Sequence, residues 1–74
     1  MNMKQGAAIM GEQLSARELE ILELTGRALS TKTVARHLDI STGTVRWHLC
    51  NIFSKMDAHT REQAVVRGRE LGLI

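Results

Sequence analysis

Val34-Ala35-Arg36-His37-Leu38-Asp39-Ile40-Ser41-Thr42-Gly43-Thr44-Val45-Arg46-Trp47-His48-Leu49 is the stretch of this chain that decides its fold. Val34, Ala35 and Leu38 recur at helical spacing, Asp39-Ile40-Ser41 interrupts the pattern, and a longer helical pattern follows. Ser30 stands where it can cap the first of these helices, predicted over Thr31–Leu38 with Lys32 and Arg36 on its outer side. Asp39 suits the pivot of the turn, because a short polar side chain tolerates left-handed backbone better than most, and Ser41 can cap the next helix. That helix, predicted over Thr42–Met56, carries Val45, Leu49, Ile52, Phe53 and Met56 in a single apolar stripe. At about 100° per residue, Gly43, Trp47, Cys50 and Ser54 fall almost opposite the stripe. Arg46 borders this outer face on one side, and Thr44, His48, Asn51 and Lys55 line its other flank.

Upstream, Ser15-Ala16-Arg17-Glu18 is a capping-box pattern that starts a helix near Ala16. Its buried face is expected to hold Ile21, Leu22, Ala28 and Leu29, joined by Leu14; Leu19 and Leu24 fit this face less well, so one of them is expected to be exposed. Glu18, Glu20 and Glu23 lie toward its N-terminal half, where the helix dipole favours anions. Downstream, Asp57-Ala58-His59 is a connector and Thr60-Arg61-Glu62-Gln63 a second capping box. A fourth helix is predicted from Arg61 to Leu71, closed by Gly72. The fold expected is all-α, a four-helix bundle with a central helix-turn-helix over residues 14–74. Residues 1–13 lack helical periodicity and are expected to form a disordered tail.

A core built from roughly sixty residues can fold alone but is marginal, and a partner surface would help it. The net charge of +2 is unevenly spread: four Glu against Arg17 between Glu12 and Leu24, but Lys32, Arg36, Arg46 and Lys55 against Asp39 alone between Thr31 and Lys55. That asymmetry points to a polyanionic partner. The single cysteine, Cys50, suits a reducing compartment. No apolar run approaches the ~20 residues of a membrane span, and Ala7-Ala8-Ile9-Met10 is too short an apolar patch for a signal peptide. A cytoplasmic protein with no membrane partner is expected.

Trp47 carries the most information about function. A tryptophan in a small protein is usually a core residue. Burying this one would require the third helix to be buried on opposite sides, and Arg46, Cys50 and Ser54 make a poor second core. A flat, stiff side chain beside Arg46 suits thymine methyls or sugars, while the arginine can bridge guanine O6 and N7. A helix so mounted fits the DNA major groove, about 12 Å wide. His37, His48 and His59 lie on three different segments, and zinc sites want closer pairs, so neither metal nor other cofactor is expected. Neither paired carboxylates, nor a Ser-His-Asp set, nor a Gly-rich phosphate loop is evident, so no enzymatic activity is expected. His48 is expected to pack in part and reach a phosphate, and Cys50 to be a small contact residue rather than a redox sensor. Thr31 and Thr44 stand at helix starts, where caps and phosphate contacts coincide.

From Leu14 to Ile74 the chain resembles the DNA-binding domain of LuxR-type, GerE-like transcription regulators. The resemblance is carried by Leu14-Ser15-Ala16-Arg17-Glu18 with Ile21-Leu22, by Val34–Leu38 and Ser41–Leu49, and by Asn51-Ile52, Lys55-Met56, Thr60–Val65 and Glu70–Leu73 in order. It implies a third helix in the major groove and dimerisation through the fourth. Arg46, Trp47 and Cys50, with Gly43 on the same face, then match base-contacting positions, and Thr31, Lys32, Thr44, His48 and Lys55 match contacts to the DNA backbone. Val66, Arg67 and Glu70 are the expected dimer surface: Ala64, Val65, Gly68 and Leu71 serve the helix's own core and leave Val66 over. The chain departs from the family at Ala28 and Asp39, where glycine is usual, and at Cys50, which is often polar or basic. Left-handed geometry at Ala28 would cost about 1 kcal/mol, so a different end to the first helix, loosened by Gly26, is expected.

The function expected is a sequence-specific double-stranded DNA-binding transcription regulator acting as a homodimer, with RNA polymerase a further candidate partner. Two alternatives compete: a sigma-factor-like promoter-binding module that docks on polymerase, and a protein-interaction module such as an anti-activator that keeps the fold without binding DNA. Lys32, Arg46 and Lys55 argue against the second, since a decoy need not keep a basic groove face.

Overall fold

Ser15 opens the first helix, α1 (Ala16–Gly26), through a complete capping box. Its hydroxyl accepts from the Glu18 N–H at 3.1 Å, and the Glu18 carboxylate accepts from the Ser15 N–H at 2.9 Å. The computed structural model describes residues 14–74, so the tail expected over residues 1–13 lies outside the described residues. Three more helices follow: α2 (Thr31–Leu38), α3 (Thr42–Lys55) and α4 (Arg61–Glu70). Ser30, Ser41 and Thr60 cap them, each accepting from the backbone N–H three residues on. The described residues hold four helices and no strand, an all-α helix-turn-helix fold.

The turns follow their local chemistry. Asp39 adopts φ 59 and ψ 45, and the Ile40 N–H reaches back to the Ala35 carbonyl at 3.0 Å. Gly72 closes α4 at φ 75, with the Leu73 N–H on the Gly68 carbonyl at 2.8 Å. Met56 is the cap of α3 rather than its last residue, and α4 ends at Glu70. Only half of the second capping box forms. Thr60 accepts from Gln63, but the Gln63 side chain accepts from the His59 N–H at 2.7 Å instead of from Thr60.

The first helix ends differently from expectation. Ala28 does take up left-handed backbone, at φ 64, with its side chain exposed, so it contributes nothing to the buried face of α1. Neither Leu19 nor Leu24 is exposed: Leu24 is 6% accessible and Leu19 packs against the core. The reason is that α1 is the hub. Helices α2, α3 and α4 all pack on it, so its buried arc is wider than one stripe.

Ile21, Leu22, Val34, Val45, Ile52 and Met56 are the largest fully buried side chains. Phe53, expected among them, is only partly buried at the edge. Gly68 lets α4 approach α1, since a Cβ there would lie 3.0 Å from Leu22 Cδ2. Among the described residues, no helix is long and apolar enough to cross a membrane.

Candidate nucleic-acid interface

Helix α3 is held by its apolar stripe. Val45, Leu49, Ile52 and Met56 are buried against α1 and α2. The opposite side is left open by the same geometry: Gly43, Arg46, Trp47, Cys50 and Ser54 are all exposed. Trp47 is 62% accessible, an unusual state for the largest apolar side chain in the protein. Its indole meets the His48 imidazole edge-on, with centroids 5.0 Å apart and planes at 67°. Gly43 is open as well. A Cβ there would meet only Ser41 Oγ, at 3.8 Å, so nothing within the domain requires glycine at this place.

The flank of α3 is more deeply engaged. His48 is half-buried, and its Nδ1 is buried with no hydrogen-bond partner. Thr44 is exposed and its hydroxyl lies 2.8 Å from Ser41 Oγ, beside the helix start. Lys55, expected among the DNA-backbone contacts, donates to both oxygens of Glu18, at 2.9 and 3.2 Å. Glu18 is only 5% exposed, so this ion pair ties the last turn of α3 to the first turn of α1. Burial alone would raise the Glu18 pKa. The Ser15 N–H, the Lys55 ammonium and the charge of His48 outweigh burial and hold it below the ordinary value.

On α2, Lys32 is exposed and Thr31 half-buried. Thr31 has a partner that no local pattern announced. Arg61, the first residue of α4, donates to Thr31 Oγ1 at 3.0 Å and to the Leu29 carbonyl at 3.0 Å. The available signal was a cation at a helix N-terminus, where the dipole disfavours it unless it is tied elsewhere. The Glu18–Lys55 pair gave no such signal, its members lying 37 residues apart.

The residues expected at a dimer surface share one place. Val66, Arg67 and Glu70, with Glu62, Gln63 and Leu71, line an open groove of about 540 Å³ on the outer side of α4. Val66 is 52% exposed on it, and Arg67 is braced by donation to the Met56 carbonyl at 3.2 Å.

Comparison with known proteins places this arrangement. The profile of the bacterial regulatory proteins of the luxR family matches residues 12–67. The transcriptional regulatory protein DesR of Bacillus subtilis is 39% identical over 59 residues, which are 80% of this chain and 30% of DesR. Among solved structures, the transcription factor GerE superposes with a TM-score of 0.77 at 40% identity, over 81% of this chain and 90% of that one. The response regulator ChrA of a heme-sensing two-component system gives a TM-score of 0.80 at 37% identity, over 99% of this chain and 33% of ChrA. The chain spans about a third of the length of the curated relatives it matches.

Proposed function

This chain belongs to the luxR family of bacterial regulatory proteins, and on that premise we propose that it is a sequence-specific double-stranded DNA-binding transcription regulator. It acts by binding rather than by catalysis, in the cytoplasm. The observation that carries the reading is the outer face of α3. A tryptophan 62% accessible stands opposite a closed apolar stripe with an exposed arginine beside it, on a helix that Ser41 caps and whose first turn carries no acidic residue.

With α3 in the major groove, the Arg46 guanidinium bridges O6 and N7 of a guanine, and Trp47 lies against sugars or thymine methyls. Cys50 makes a small contact one turn on, and Gly43 lets the backbone at the helix start come close to the duplex. Thr31, Lys32, Thr44 and His48 meet phosphates, using hydroxyl and N–H donors together with helix N-termini. Lys55 fits this role least, because the buried Glu18 carboxylate holds its ammonium. Its part is to fix the C-terminal turn of α3. The α4 groove takes the same helix of a second copy, with Val66 at its centre and Arg67 and Glu70 beside it. Two recognition helices then address half-sites about one helical turn apart.

Selection of bound sequences from random duplex DNA, followed by titration of the winner over a salt series, tests this reading. It requires a roughly palindromic motif and an affinity that falls steeply with salt. Absence of any enriched motif, or binding indifferent to salt, rejects it.

A further inference from the structure

We propose that Arg61 is a positioning residue for DNA binding, which holds the phosphate-facing start of α2 in place from the first turn of α4. The inference rests on the reading of the interface given above and extends it to a residue that does not itself meet DNA. Arg61 Nη1 donates to the Leu29 carbonyl and Nη2 to Thr31 Oγ1, both at 3.0 Å. One planar fork therefore grips the chain on either side of Ser30, the cap of α2. Helices α2 and α4 hardly pack against each other, so this fork is a specific tie between them.

Three features make the fork more than an incidental surface contact. A cation in the first turn of α4 opposes the helix dipole, and its placement is offset by the two acceptors it reaches. The turn it grips is strained, since Ala28 at φ 64 immediately precedes Leu29, and a strained turn persists only where neighbours hold it. Finally, Thr31 Oγ1 serves Arg61 as an acceptor, which leaves the O–H to donate, the polarity that a phosphate oxygen requires.

The test compares wild type, Arg61→Ala, Arg61→Lys, Thr31→Val and the double variant Arg61→Ala/Thr31→Val on a duplex with one selected half-site, across a salt series. Arg61→Ala should bind about three- to tenfold more weakly, with the slope of log affinity against log salt unchanged, because no phosphate-neutralising charge is lost. Arg61→Lys should stay within about twofold of Arg61→Ala, since an ammonium cannot reproduce the fork. Adding Arg61→Ala to Thr31→Val should cost little beyond Thr31→Val alone, because Arg61 acts on DNA through the Thr31 hydroxyl it holds.

Wild-type affinity in Arg61→Ala overturns the proposal. So does a salt slope reduced by about one, which would make Arg61 a phosphate contact itself, or full restoration by lysine, or additive losses with Thr31→Val. Melting curves accompany each titration; should Arg61→Ala be unfolded at the assay temperature, Arg61→Lys and Thr31→Val carry the same comparison. Failure of wild type to bind any duplex overturns the underlying reading. Wild-type binding with unaffected variants overturns the role of Arg61 alone.

Discussion

Ala28→Gly should stabilise the domain. Ala28 stands at φ 64 with its side chain exposed, so glycine would remove a backbone clash without emptying any packed space. The clash is about 1–2 kcal/mol for an L-residue in left-handed geometry. Glycine returns about 0.4–1 kcal/mol of this through the greater freedom of the unfolded chain. At the middle of both ranges the net gain is about 0.8 kcal/mol, against a total stability of about 3–9 kcal/mol for roughly sixty residues. The thermal midpoint should therefore rise by roughly 2–8 °C, and the urea midpoint should rise at unchanged slope. Two controls bracket the effect. Asp39→Gly, at φ 59, should gain less, because aspartate tolerates this backbone better than alanine. Gly72→Ala, at φ 75 with open space around the added Cβ, should lose about 1 kcal/mol from strain alone. An Ala28→Gly protein that melts at or below wild type would refute the strain assigned to this turn.

Leu49→Ala should cost about 2–5 kcal/mol, enough to unfold most of so small a domain at 37 °C, whereas Trp47→Ala should leave the thermal midpoint nearly unchanged. If the tryptophan variant proves the less stable of the two, α3 faces the other way. Glu18 titrates below its ordinary value of 4.5 in the folded protein, so its carboxylate contributes fully above that pH. The contribution is lost as pH falls through the lower folded value. Glu18→Gln should accordingly flatten the loss of stability below about pH 4.5, read from urea midpoints between pH 7 and pH 3; an acid limb identical to wild type would exclude this. Val66→Glu should abolish cooperative binding to a duplex with two half-sites while a single half-site still binds. Unchanged cooperativity would remove α4 as the dimer surface.

The sequence reveals this fold best where the determinants are local. Ser15, Ser30, Ser41 and Thr60 mark the helix starts because each cap bonds three residues on, and Asp39 and Gly72 mark two ends because few residues tolerate the backbone there. The facing of α3, and with it the exposure of Arg46 and Trp47, follows from one uninterrupted apolar stripe. What was not legible depends on tertiary packing. Leu24 is buried because several helices pack around α1, whereas a periodicity argument assumes one buried face. Ala28 keeps a left-handed turn because about 1 kcal/mol of local strain is smaller than the core burial the turn permits. Lys55 looks like a surface cation until Glu18, 37 residues away, is brought beside it. Arg61 left a trace, a cation at a helix start, but nothing in its own segment names Leu29 and Thr31 as the groups it reaches.

That the outer face of α3 reads base sequence is tested most directly by measuring wild type and Arg46→Ala on a selected duplex and on random duplex in the same buffer. Arg46→Ala should lose about 1–3 kcal/mol on the selected duplex, relax the preference at a single base pair, and bind random DNA almost as wild type does. Equal loss on both duplexes would contradict base readout by this face and reduce Arg46 to one more charge on the phosphates.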